Sequence, residues 1–168
     1  MLALPAPRAY SARVNRNPET GPHFLVIGYG NTLRSDDGVG LKVAAAVELA
    51  GLPGVRALAC HQLTPELAEP VAQARAVVFV DAAVGAPAGI QVVELAPAAA
   101  GQILAHVSDP KTLLALARDL FGRCPPAWWV TIPIQNTDFG EELSPLAREG
   151  MQSALEKIRA LAAGQLPR

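Results

Sequence analysis

"HFLVIGYGNTLRSDDGVGLKVAAAVELAG", residues 23–51, runs from a short apolar stretch through a glycine turn into a longer apolar stretch. HFLVIG (23–28) is apolar without alternation, as expected of a strand buried on both faces. GVGLKVAAAVELAG (38–51) reads as the helix that follows it. Between them Gly28 and Gly30 form a Gly-x-Gly turn, the opening of a dinucleotide fingerprint. The third glycine of that fingerprint is replaced by Leu33, and no Gly-Lys-Ser/Thr follows to make a phosphate loop. Asp36 and Asp37 instead place two carboxylates at the positive end of the helix, where a bound phosphate would face both charges. The turn therefore suits a cation better than an anion. Either both acids serve the helix, Asp36 as its cap and Asp37 in its first turn, or one caps it while the other points into the crevice above the strand ends.

The same rhythm continues outward. VRALAC (55–60) is a second strand and TPELAEPVAQA (64–74) a helix, with Thr64 as its cap and Pro65 at its first position. AVVFVD (76–81), β-branched and apolar, reads as a central parallel strand. IQVVEL (90–95) follows a turn too short for a helical crossover, so it is an edge strand and a candidate antiparallel one. DPKTLLALARDLFG (109–122) is an amphipathic helix with Asp109 as cap and Gly122 as stop. AWWVTIPI (127–134) is the last strand, and SPLAREGMQSALEKIRALAAG (144–164) closes the fold with Ser144 as cap. Strands alternating with helices imply an α/β fold, a mostly parallel five-stranded sheet with helices on both faces.

At 168 residues the chain fits one domain, read here as residues 23–164 between a loose leader (1–22) and a short tail (165–168). A net charge of -1 argues against a partner that is nucleic acid or an anionic membrane. No apolar run is long enough to span a bilayer. Pro and Arg break the leader where a signal peptide needs its apolar core, so a cytoplasmic protein is expected. Cys60 and Cys124 form no CxxC pair and read as small, partly buried side chains.

Two more residues join this pair of acids as candidates for a cation. Asp81 ends the central strand and should emerge at the same carboxyl edge. His106 precedes the helix at 109. Two carboxylates and an imidazole suit Zn, Ni, Mn or Fe better than Ca or Mg, and three protein ligands leave room for water or substrate. Neither HExxH nor Gly-x-Ser-x-Gly occurs.

These residues resemble the nickel-iron hydrogenase maturation proteases, endopeptidases that trim a C-terminal extension from the hydrogenase large-subunit precursor. The resemblance rests on IGYGNTLRSDDGVG, HQLTPELAEP, VVFVDAA, HVSDPKTLLALA and LSPLAREGMQSAL, and spans about residues 23 to 163. It implies a three-layer αβα, phosphorylase/hydrolase-like fold with a twisted five-stranded sheet. It also implies a metal set of Asp37, Asp81 and His106, with Asp37 and Asp81 as the catalytic candidates. The metal would be nickel already seated in the precursor, with Zn or Cd able to take its place in vitro. The partner would be the hydrogenase large-subunit precursor, met by a protein that is a monomer in isolation. Gly28, Gly30, Asn31, His61 and Gln62 would wall the substrate crevice, and the backbone amides of the 28–31 turn are candidates for an oxyanion site. The segment at 132–145 is the candidate for choosing which hydrogenase is recognised. A metal-checking chaperone that does not cut, or a nucleotide-binding module, would be the alternative functions.

Overall fold

The computed structural model describes residues 23–99 and 109–165. Five strands form one sheet: β1 (Phe24–Tyr29), β2 (Val55–Cys60), β3 (Ala76–Val84), β4 (Gln91–Leu95) and β5 (Ala127–Ile134). Their order is β2-β1-β3-β5-β4. All neighbours are parallel except β4 and β5, which are antiparallel, as the short connection at residues 85–90 requires.

Four helices cover the sheet: α1 (Val39–Ala50), α2 (Ala68–Gln73), α3 (Pro110–Phe121) and α4 (Pro145–Ala162). The period of two along each strand separates two cores. Val26, Val78, Val80, Val130 and Ile132 face α1 and α4. Leu25, Ile27, Val77 and Phe79 face α2 and α3. β1 and β3 thus spend both faces on packing, and Phe79, fully buried, alone contributes roughly 1.5–3 kcal/mol. The result is the three-layer αβα architecture expected from the alternation of elements.

Local caps follow the sequence closely. Asp109 accepts from the Lys111 amide (3.1 Å) and Ser144 from the Ala147 amide (3.2 Å), while Gly51 and Gly122 end their helices in the left-handed region. Three expectations are corrected. The helix expected from Thr64 opens as a 3-10 turn, Pro65–Leu67, and becomes α-helical only at Ala68; Thr64 makes no side-chain cap. Pro70 has no N–H to give the Glu66 carbonyl and crowds it, which breaks the first helical turn. β3 does not stop at Asp81 but runs to Val84, because β5 continues beside it as far as Ile134. Cys60 is half-buried as expected, but Cys124 is exposed in the turn after α3. Among the described residues no helix is long and apolar enough to cross a membrane.

Candidate active site

From β1 the chain leaves to β2 on one side and, through α2, reaches β3 on the other. The carboxyl ends of β1 and β3 therefore form the topological switch point of the sheet, where open α/β folds bind ligands. The last pairing of β1 with β3 is Gly28 with Val80. Asp81 is the first β3 residue beyond it, still paired with Thr131 of β5 but free of β1.

The turn after β1 is shaped by glycines. Gly30 has φ 140°, and a Cβ there would collide with the Asp37 carbonyl. Gly40, in the first turn of α1, lies so close to the sheet that a Cβ would stand 2.5 Å from both the Tyr29 and Val80 carbonyls. Gly40 thus allows the close helix–strand approach that the fingerprint assigns to its third glycine, although Leu33 occupies that position.

Asp36 does not cap α1, a second kind of correction. Neither the 3-10 turn Ser35–Gly38 nor α1 receives a side-chain cap. Its fully buried carboxylate accepts instead from the amides of Gln135 (3.1 Å), Asn136 (3.0 Å) and Ser144 (2.6 Å), and from the Ser144 hydroxyl (2.7 Å). Burial pushes the carboxyl up, but the bonds from Ser144, Gln135 and Asn136 outweigh it and hold the group below the usual carboxylate range. Backbone bonds complete the clasp: Ser35 to Gly140 (2.8 Å), Gly140 to Leu33 (2.9 Å) and Asp36 to Asn136 (3.0 Å). Ser35 takes a positive φ of 48°, a strained conformation that this clasp holds in place.

Asp37, half-buried, turns the other way, and its Oδ2 accepts from the Asn31 amide (3.1 Å). Asp81, also half-buried, accepts from the Ala82 amide at 2.8 Å. Burial raises the Asp81 carboxyl above its ordinary range, the phenol of Tyr29 and the Ala82 amide pull it back, and the negative charge of Asp37 raises it again. A partly desolvated carboxylate that faces a second negative charge, with no ion pair to Lys or Arg among the described residues, forms an arrangement that a bound cation would relieve.

Tyr29 was not singled out by sequence. It shares the face of Leu25 and Ile27, as Asp81 shares the face of Val77 and Phe79, so strand periodicity and register place phenol and carboxyl next to each other. Burial and the Asp81 charge raise the phenol's pKa. Trp129 stands beside Tyr29, and its indole N–H pulls the phenol's pKa back down.

The remaining candidates sit around this pair. Gly30 donates to the His61 carbonyl (3.3 Å), and Asn31 to the Asp37 carbonyl (3.2 Å) as well as its carboxylate, so these two amides are spent within the turn. Gly28 packs against Gly40. His61 and Gln62 are exposed immediately after β2, at the same edge. His106 lies outside the described residues; Asp109, three positions later, is near enough for its charge to reach Tyr29. Among the described residues no group of three or more His, Cys, Asp or Glu is placed to hold a metal ion, so Asp37 and Asp81 stand as a pair.

No protein-family model and no curated protein matches the chain. Solved structures do. The hydrogenase maturating endopeptidase HybD from E. coli superposes with a TM-score of 0.66 at 20% identity, over 84% of this chain and 93% of that one. The [NiFe] hydrogenase maturation protease HybD from Thermococcus kodakarensis gives 0.64 at 23% identity, over 83% and 99%. The maturation protease HycI of the same organism also gives 0.64 at 23%, over 86% and 95%. The chain shares the fold of these endopeptidases across nearly their whole length.

Proposed function

We propose that this protein is an endopeptidase that removes the C-terminal extension of a nickel-loaded [NiFe]-hydrogenase large-subunit precursor. The observation that carries the reading is the neighbouring carboxylates of Asp37 and Asp81 at the switch point of a fold shared with hydrogenase maturation endopeptidases. The precursor docks with its nickel at Asp37 and Asp81, and His106 is proposed as the third ligand. The nickel belongs to the substrate and marks a precursor whose assembly is complete; zinc or cadmium can take its place in vitro. The reaction takes place in the cytoplasm, with a protein that is a monomer when free.

Peptide hydrolysis needs a water oxygen to bond to the scissile carbonyl carbon while its proton passes to a base. The C–N bond then breaks as a proton reaches the leaving amine. Asp37 or Asp81 serves as that base, or both serve to hold a metal that polarises the carbonyl. His61 and Gln62 line the approach of the extension from the β2 side.

The test is the mass of a nickel-loaded precursor after incubation with the protein. Loss of one discrete C-terminal peptide is expected, and Asp37→Asn or Asp81→Asn should slow it by about 100-fold or more. A precursor that binds stably but keeps its mass would make the protein a metal-checking chaperone instead.

A further inference from the structure

Two large apolar side chains are exposed on neighbouring segments beside the turn that bears Asp37. Leu33 is 48% exposed and Phe139 is 88% exposed. The first precedes Asp37 by four residues in the same turn; the second tips the loop that follows β5. The Gly140 amide donates to the Leu33 carbonyl, and Arg34 forms a bridge with Gly140, which sets the two segments edge to edge.

The backbone under Phe139 is pinned. The Ser35 hydroxyl donates to the Asp138 carbonyl (3.0 Å), the Arg34 guanidinium to the Thr137 carbonyl (3.3 Å), and the Asp36 carboxylate fixes Gln135 and Asn136. An aromatic ring displayed on a fixed loop gains nothing from the core, whereas binding to it costs little ordering entropy. Exposed aromatics of this kind dominate contact energies between proteins.

The surroundings specify what covers the ring. Asp138, Glu141 and Glu142 flank Phe139 and are exposed, and Asp37, in the same turn as Leu33, adds a further carboxylate. The nearby guanidinium of Arg34 is engaged with Thr137. A second copy of this chain would bring an equal set of acids against these, at a Coulombic cost. The complementary surface is apolar with a cation at its centre. Resting on the reading of the preceding subsection, we infer that Leu33 and Phe139 form the ridge on which the metal-bearing precursor docks, and that the Asp36 clasp aligns this ridge with Asp37.

Kinetics with the nickel-loaded precursor test this on the full chain. Phe139→Ser should raise KM about tenfold with kcat and melting temperature unchanged, and Phe139→Leu should restore most of the loss. Leu49→Ser removes a side chain 90% exposed at the far end of α1 and should alter neither constant. Cutting by the wild type with the same KM for Phe139→Ser overturns the ridge and leaves the protease reading intact. If the wild type does not cut, calorimetric titration with the same precursor decides: tenfold weaker binding by Phe139→Ser upholds the ridge while the protease reading falls, and equal or absent binding overturns the ridge. A lowered melting temperature in Phe139→Ser, or a dimer in sedimentation that the substitution dissolves, places this chain or its copy on the ridge and overturns the proposal.

Discussion

Burial raises the carboxyls of both Asp36 and Asp81, but the donors around Asp36 outweigh it, whereas at Asp81 the Tyr29 phenol and the Ala82 amide do not. Asp36 is held below the ordinary carboxylate range in the folded state. The stability it confers is present above the unfolded value and is lost as pH falls through the folded one. Asp36→Asn puts an amide donor where four donors converge, and should cost about 2 kcal/mol or more at pH 7. In urea titrations at a series of pH values, the gap from wild type should close below about pH 4. Asp81 is raised, so keeping it charged works against folding. Its contribution is favourable below the unfolded value and declines as pH rises through the folded one. Asp81→Asn should therefore raise the melting temperature at pH 7, with a gain that disappears in acid, even as it abolishes processing. A lower melting temperature at pH 7 would mean that the pair is compensated by a cation after all. Asp37 and Asp81 were readable from sequence because each terminates a local pattern, a turn and an apolar run. Tyr29 was not, since only the register of β1 against β3 reveals its neighbour.

At the scale of elements, α1 depends on how closely it approaches β1 and β3. Gly40→Ala forces a methyl group against two carbonyls and should cost about 1–3 kcal/mol, measured by chemical unfolding. Gly51→Ala, where nothing lies within 4 Å, meets no such crowding and should suffer only from its positive φ of 58°. A loss in Gly40→Ala no larger than in Gly51→Ala would show that the helix can slide away. The caps at Asp109 and Ser144 were legible because their bonds reach only two and three positions along the chain. The split of the 64–74 helix was not, although Pro70 carried the signal, because a helix-start pattern at Thr64–Glu66 reads the same whether the first turn is 3-10 or α. The overrun of β3 past Asp81 had no signal of its own: Ala82, Ala83 and Val84 are extended because β5 lies beside them.

For the molecule as a whole, the alternation of strands and helices disclosed the layers, and the short connection before β4 disclosed the one antiparallel pair. The strand order was less accessible, since parallel strands joined by helices can neighbour in several sequences. Order has a measurable consequence. Among the described residues β1, β3 and β5 are flanked on both sides, whereas β2 and β4 each have one neighbour. Amide hydrogens of Val78 and Phe79 should exchange only through global unfolding, and those of β2 and β4 earlier, by mass-resolved or NMR exchange. The role of Asp36 was the least visible of all, because its partners lie 99 to 108 positions away in the chain. That separation also orders events during synthesis. The turn bearing Asp37 leaves the ribosome early, but its clasp needs Ser144, so a nascent chain carries the carboxylate pair long before the turn behind it is fastened. A ribosome stalled anywhere between β3 and Ser144 thus holds an unfinished crevice, and the order of translation keeps it so until α4 begins.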